Sequence, residues 1–490
     1  MLERGVFCAR RRMLAVVLCH SSSQTVARSR AQLDLEMSGT QNHLRAKWDA
    51  VRTGLWLLPS GMFALGVLLA IAMLNVDKVA GPQDGPPSWW LSGGDGQDVS
   101  NLLSTLLTSV IAMASIVFSV TVVALSLAAN SYGPRLIRTF RSATSTQVTL
   151  GIFVMTIVYL LIVLSSVSHR MESQTVPHIS VAVGSLFSLG AVLGLLAFIQ
   201  GLSRLMVADE VVRRVRKELD DAVESLTPLN QSEHAPIPPG VERDFETDAV
   251  RVQLPREGYV QAVEFEDLAR WAAEHDLTVK LNFRPGDFVV EGDRKVLVYP
   301  ASIEPDWARR EIERFIVSGQ ERTPTQDLEY AIRLLVEVAV RALSPGINDP
   351  FTALAVIDRL RGGLSRLANR SMPTPIVCDA GGEPRVVRRV PTYAGAADMA
   401  FNQIRQAGCQ KPAVLTHMLE AIGEIAEHIR TQEQRDALVR HARLILETGR
   451  RETCQRADIH DIERRFRKAA QALSEAPLAR SGSPRQDAPM

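Results

Sequence analysis

Leu103 to Ala129 reads LSTLLTSVIAMASIVFSVTVVALSLAA, twenty-seven consecutive residues without Asp, Glu, Lys or Arg. An α-helix needs only ~20 such residues to cross the hydrocarbon core of a bilayer. Three more uncharged apolar runs lie around it, Gly54 to Leu74, Gln147 to Ser168 and His178 to Ser203. One charge at mid-bilayer costs about 2.5 to 3.5 kcal/mol against roughly 0.3 to 0.6 gained per Leu or Ile, so four clean runs read as four spanning helices. No comparable run follows Ser203. The chain is therefore a polytopic α-helical membrane protein whose remaining carboxyl half lies outside the bilayer.

Within the quoted run, Ser104, Thr108, Ser115, Ser119 and Ser126, with Asn130 just beyond it, recur at steps of four and seven. Eleven residues make three helical turns, so the six polar side chains form one stripe along the helix. Lipid is a poor partner for such a stripe, which predicts either close packing against another helix or a copy of the chain, or a water-accessible path. Gly184-xxx-Ser188 and Gly190-xxx-Gly194 in the fourth run are further small-xxx-small steps that favour close helix approach. No acid or base lies inside any run, which argues against a proton-coupled pump.

Orientation follows from the basic residues near the span ends. Arg45, Lys47 and Arg52 precede the first run, Arg135, Arg138 and Arg141 separate the second from the third, and Arg204, Arg213, Arg214, Arg216 and Lys217 follow the fourth. The intervening segments are acidic or nearly neutral. Both termini are thus expected in the cytoplasm. The segment Tyr132 to Arg141 sets its three arginines at threefold spacing opposite Leu136, Ile137 and Phe140, either a headgroup contact or ordinary positive-inside anchoring. The five cysteines, at positions 8, 19, 378, 409 and 454, form no CxxC pair and suit a reducing compartment. With 55 basic and 54 acidic residues the charge balance implies no nucleic-acid partner.

The chain divides by composition into segments. Residues 1–43 read as a disordered extension or a mis-assigned start, with Met37 an alternative first residue, and 44–203 form the four-helix transmembrane domain. From 204 to 226, Leu205, Ala208, Val212, Val215, Leu219, Ala222 and Leu226 make an apolar seam on a helical stalk, whose partner is either intramolecular or a second copy. The polar, Pro-rich stretch 227–248 reads as a linker. Residues 249–300 switch to period two, as in Leu277, Val279, Leu281 and Phe283, and predict a small β module with one helix from about Phe265 to His275. Residues 304–474 predict a helical domain, with strand-like pieces between Met372 and Val390, and 475–490 a disordered tail. Thr323 is expected to cap the first of these helices, with Pro324 at its first position and Gln326 three after the cap. Helices are also expected from about Asp349-Pro350, Ala396, Pro412, Gln432 and Asp458.

The pieces Pro255 to Val260 and Arg284-Pro-Gly-Asp-Phe-Val-Val-Glu-Gly292 are similar to the turn-strand-turn pattern of biotinyl and lipoyl sandwich-barrel domains. No lysine stands in the context those carriers modify, so the likeness implies a sandwich-barrel-like fold and no carrier activity. The whole pattern from about Leu44 to Leu473 resembles a bacterial membrane-protein family of unknown function, number 2254. It rests on the second-span exit Leu125-Ser-Leu-Ala-Ala-Asn-Ser-Tyr-Gly-Pro-Arg-Leu-Ile-Arg-Thr-Phe140, on Arg284 to Gly292, and on Arg341-Ala-Leu-Ser-Pro-Gly-Ile-Asn-Asp-Pro-Phe-Thr-Ala353. This resemblance implies a fold and a location in the bacterial inner membrane, without an activity.

Two further places could carry chemistry. The loop with Ser344, Gly346, Asn348 and Asp349 joins a helix C-terminus to a helix N-terminus, and reads as a capped structural turn or an anion-binding loop. His417, Glu420, Glu424 and His428 share one helix face in a metal-like spacing, but Leu415, Met418, Leu419 and Ile422 opposite them mark an ordinary amphipathic helix with a solvated side. Phosphate-loop, HExxH and GxSxG patterns are absent, so no catalytic residue, metal site or cofactor is assigned and no enzyme is expected. The expected partners are the lipid bilayer, further copies of the chain, and an unknown cytoplasmic protein or small ligand. The functional expectation is a non-catalytic, membrane-anchored binding or scaffold module; the alternative is an oligomeric channel lined by the second span and gated by the cytoplasmic domain.

Overall fold

A computed structural model describes residues 57–80, 96–132, 144–169, 177–205, 208–227, 245, 248–254 and 256–478. The expectations for residues 1–43, for the arginines at 135, 138 and 141, for most of the linker and for the tail beyond 478 fall outside these residues.

Helices α1 (Leu57–Ala80), α2 (Gly96–Tyr132), α3 (Thr144–His169) and α4 (His178–Leu205) contain the four apolar runs. All four are long and apolar enough to span a bilayer, and the chain is a multi-pass membrane protein. Helix α3 is central, packing on α1, α2 and α4 and burying Phe153, Tyr159, Leu160 and Val163. Without water to drive association inside lipid, such packing depends on close backbone approach at small residues. Gly66 supplies it between α1 and α3, because a Cβ there would stand 2.8 Å from the Met155 carbonyl oxygen. Gly151 faces Met62 in the same way. Of the two small-residue steps in α4, only the first is used: a Cβ on Gly184 would lie 2.9 Å from Leu160 Cδ2, whereas Gly190 and Gly194 have nothing within 4 Å.

At the end of the bundle where α1 finishes and α4 begins, the Asp77 carboxylate accepts from the Ile179 and Ser180 backbone N–H groups at 3.0 and 2.9 Å. It also accepts from the Ser180 hydroxyl. A residue of α1 thereby satisfies N–H groups that the first turn of α4 cannot pair internally. Tyr159 OH donates to the Ser180 carbonyl at 2.9 Å, tying α3 to the same turn.

Helix α5 (Ala208–Leu226) presents the predicted seam, and its partner is intramolecular. Val212, Val215, Leu219 and Ala222 belong to one core with helices α8 (Leu328–Ala342), α9 (Pro350–Ala368), α10 (Tyr393–Ala407), α11 (Pro412–Ile425), α12 (Gln432–Glu452) and α13 (Arg456–Glu475). Gly363 admits the stalk: a Cβ there would meet Leu219 Cδ2 at 2.7 Å.

The β module consists of two open sheets. Strands β1 (Val250–Val252), β3 (Thr278–Leu281), β5 (Val296–Tyr299), β7 (Ile376–Cys378) and β8 (Pro384–Arg388) form one, in the order β1-β5-β3-β8-β7. Strands β2 (Gly258–Val263), β4 (Phe288–Val289) and β6 (Ile316–Gly319) form the other, in the order β4-β2-β6. Helices α6 (Phe265–Glu274) and α7 (Pro305–Glu313) complete the module. The strand pieces between Met372 and Val390 are β7 and β8, and β8 pairs parallel to β3, so the chain returns to the sheet after α8 and α9. Helix α7 and strand β6 carry too short a periodic signal to stand out in the sequence.

Helix α8 begins at Leu328 and not at Thr323. Asp327 is its cap, its carboxylate accepting from the Tyr330 N–H at 3.0 Å. Gln326 is drawn away to β2, where its Oε1 accepts from the Val263 N–H at 2.9 Å. Tertiary pairing thus overrides a local capping pattern. The next cap agrees with the sequence: Asp349 accepts from Thr352 N, and Pro350 is the first residue of α9.

Candidate functional site

The polar stripe of α2 lies on its outer face. Helix α2 packs through Leu103, Val110 and Val117, all fully buried, whereas Ser104, Thr108, Ser115, Ser119 and Ser126 are exposed. At about 100° per residue the two sets stand roughly 160° apart around the helix. No other described helix of the chain covers the stripe. Its hydroxyls fall back on their own backbone, Thr108 donating to the Ser104 carbonyl at 2.8 Å and Ser115 to the Ile111 carbonyl at 2.9 Å. Asn130 lies in the same helix, but its side chain is outside the described set.

The turn from Ser344 to Asp349 is exposed at Gly346, Ile347 and Asn348. Asn348 adopts φ 51°, the left-handed conformation that Asn tolerates better than most residues. The N-terminus of α9 already holds an anion of its own: the Asp349 carboxylate accepts from Thr352 N at 3.1 Å and from Thr352 Oγ1 at 2.6 Å. The Thr352 hydroxyl and backbone hold the Asp349 carboxyl below the usual carboxylate range. Chemically this is a finished cap. Lys411, at the start of α11, donates to Asn348 Oδ1 and closes the turn.

The face of α11 that reads as solvated in sequence is half-exposed, and its polar side chains pair with those of neighbouring helices. His417 lies between Asp358 of α9, 3.0 Å away, and Glu420, 3.3 Å away. Glu420 pairs with Arg465 of α13 and Glu424 with Arg361 of α9. The carboxylates serve cations of the protein itself. No group of three or more metal-ligating side chains exists among the described residues.

Arg284-Pro-Gly-Asp287 forms the joint between the β module and the helices. The Arg284 guanidinium grips Glu329 of α8 bidentately, at 2.8 and 2.6 Å, and Asp287 lies 3.9 Å from Arg284 and 3.7 Å from Arg389. Burial opposes the charge on Arg284, but the Glu329 carboxylate outweighs it and raises the pKa, so the guanidinium stays protonated. Beside it, Arg322 pairs with the buried Asp327. Gly286 is required in this turn on two counts, a φ of +93° and the Asp327 carboxylate standing where a Cβ would go. The sequence showed the turn but no pairing, because Glu329 lies 45 residues further on.

A cleft of about 490 Å³ opens between α7 and the three-stranded sheet. Leu254, Val260, Val289, Ile316 and Val317 supply its apolar lining, and Arg256, Arg310, Arg314, Glu313 and Ser318 its polar lining. Arg256 is 3.1 Å from Glu313, and Arg314 donates to Glu311 at 2.8 Å. Arg310 is exposed and makes no ion pair among the described residues. Sequence reading missed this cleft, whose walls come from segments with no motif of their own.

The model of a family described as "Predicted membrane protein (DUF2254)" matches residues 52–424, which include all four spans, the stalk, the β module and the Arg284 and Ser344 turns. The chain belongs to the DUF2254 family. Similar proteins are the uncharacterized proteins MT1328 and Rv1290c of Mycobacterium tuberculosis and Mb1321c of Mycobacterium bovis. Each is 29% identical over 429 residues, covering 85% of this chain and 80% of the relative. No solved structure matches. Family membership agrees with the resemblance on the second-span exit and the two turns, and like it carries no activity.

Proposed function

We propose that this DUF2254 protein is a non-catalytic, membrane-anchored binding module, its carboxyl half in the cytoplasm and its anchor in the bacterial inner membrane. The cleft beside α7 carries the reading, because apolar lining beside three arginines, two of them paired with glutamates and Arg310 without an ion pair among the described residues, suits a small amphiphilic anion. Attraction from Arg310 would orient the anionic end while the apolar lining buries the apolar end. The test is calorimetric titration of the purified chain with hexyl phosphate. Saturable heat that disappears in Arg310→Glu supports the reading, and the absence of saturable heat from the wild type removes it.

The exposed stripe of α2 supports a second reading, an oligomeric channel in which hydroxyl faces of several copies meet. Cysteines placed singly at Thr108, Ser115, Ser119 and Ser126 would react with small water-soluble thiol reagents along the full stripe of a channel. Uniform protection would eliminate it.

A further inference from the structure

Among the described residues beyond the fourth span, the large apolar side chains exposed to the surroundings are Phe288, Val290, Ile347 and Phe351. The last two sit together at the α8–α9 turn, and Phe351 is 79% exposed, the highest of the four. Their place relative to the bilayer follows from the register of α9 on the stalk. Arg366 pairs with Asp220, and Arg370 donates to the Glu224 and Thr227 carbonyls, while Gly362 faces Arg216 and Gly363 faces Leu219. The two helices thus advance in the same direction, and three of these pairs share a sequence offset of 146. Carried back along the stalk at that offset, Leu354 falls level with Ala208, the first residue of the stalk, so that Ile347 and Phe351 lie beyond that end, toward α4. Helix α8, whose C-terminal end meets the start of α9 at this turn, touches α2 directly.

We propose that the α8–α9 turn is a membrane-interface anchor, with Ile347 and Phe351 seated in the lipid at the level where the fourth span leaves the bilayer. Three observations converge on lipid as the occupant: the register, the contact of α8 with a spanning helix, and paired apolar side chains at the tip. Apolar side chains placed at this depth partition into the boundary between headgroups and acyl chains. The finished cap at Asp349 and the Lys411–Asn348 contact hold the turn in one conformation, so insertion requires no refolding. The stalk then joins the helical domain to the membrane at two points, its own covalent exit and this turn.

Spin labels test the assignment on the full chain in vesicles of phosphatidylethanolamine and phosphatidylglycerol. The native cysteines are replaced by serine, and single labels are placed at 347, 351, 276 and 189. Asp276 has a side chain 93% exposed in the β module, and Leu189 is exposed on a spanning helix. Labels at 347 and 351 are expected to collide with oxygen like the label at 189, and several-fold less with a water-soluble nickel chelate than the label at 276. A nickel-chelate collision rate at both tip positions equal to that at 276 overturns the proposal, placing the turn in water. Low collision with both reagents also overturns it, since protein and not lipid would then cover the tip. The label at 347 keeps the test decisive if the change at 351 impairs folding.

Discussion

Two of the joints that hold the helical domain to its neighbours differ in their main chemistry. Against the stalk, α8 and α9 meet an apolar seam in which Leu219 is 2% exposed. Against the β module, the same helix α8 meets a charged turn in which Arg284 and Glu329 pair bidentately. The apolar joint is stabilised by removing surface from water, is non-directional, and gains with every methylene buried. The ionic joint depends on geometry, since each partner gains little overall but leaves a costly unpaired charge if the other is removed. The first therefore favours packing of the stalk, and the second adds a directional tie to the β module beside the pairing of β8 with β3.

Cutting the seam should have the larger effect. Leu219→Ala is expected to cost about 3 to 4 kcal/mol through lost burial and the cavity left beside Gly363. Thermal unfolding should register that loss equally at low and high salt. Next comes Arg284→Leu, expected to cost about 3 kcal/mol because Glu329 is left without its cation. The double variant Arg284→Leu/Glu329→Leu should recover most of the loss, as chemical denaturation of the single and double variants would reveal. A double variant no more stable than Arg284→Leu would mean that the pair is not what holds the joint.

Acid should weaken the apolar side of the comparison. His441 is fully buried in the helical domain, with Nε2 2.9 Å from Asp398 Oδ1 but no aligned hydrogen bond at either ring nitrogen. Burial pushes its pKa down from 6.5 to about 4, against the opposing pull of Asp398. Because the folded pKa lies below the unfolded one, the unfolded chain takes up a proton first as pH falls. Stability is therefore full above 6.5 and is lost between 6.5 and about 4, at up to ~1.4 kcal/mol per pH unit. Unfolding measured at pH 7 and pH 5 should show this slope, and His441→Gln should flatten it.

The smallest effect is expected in the membrane. Asp77→Asn keeps an oxygen acceptor but loses the charge facing the first turn of α4, at a cost of about 1 kcal/mol. Unfolding in detergent by sodium dodecyl sulfate would detect it, and should leave the extramembrane joints unaffected.

The four spans, the seam, the capped turn at Asp349 and the family pattern were all legible in the sequence. Each rests on local composition or on a periodicity within one element. Asp77 stood in the sequence only as an acid between two spans, and its role at the start of α4 depends on a contact 102 positions away. The face of α11 around His417 was legible as polar and solvated, but its ion pairs were not, because alternation within one helix cannot show that α9 and α13 bring Asp358, Arg361 and Arg465 beside it. The cap of α8 was misplaced for a similar reason, since Gln326 is claimed by β2.

What the sequence alone determined is which segments enter lipid and which faces are apolar, because transfer free energy is additive over neighbouring residues and needs no partner. The tertiary structure alone decided where the stripe of α2 points, which helix receives the stalk, and how Arg284 finds Glu329. Those are pairings across long stretches of chain, and their free energy exists only once both partners have been brought within hydrogen-bonding or van der Waals distance.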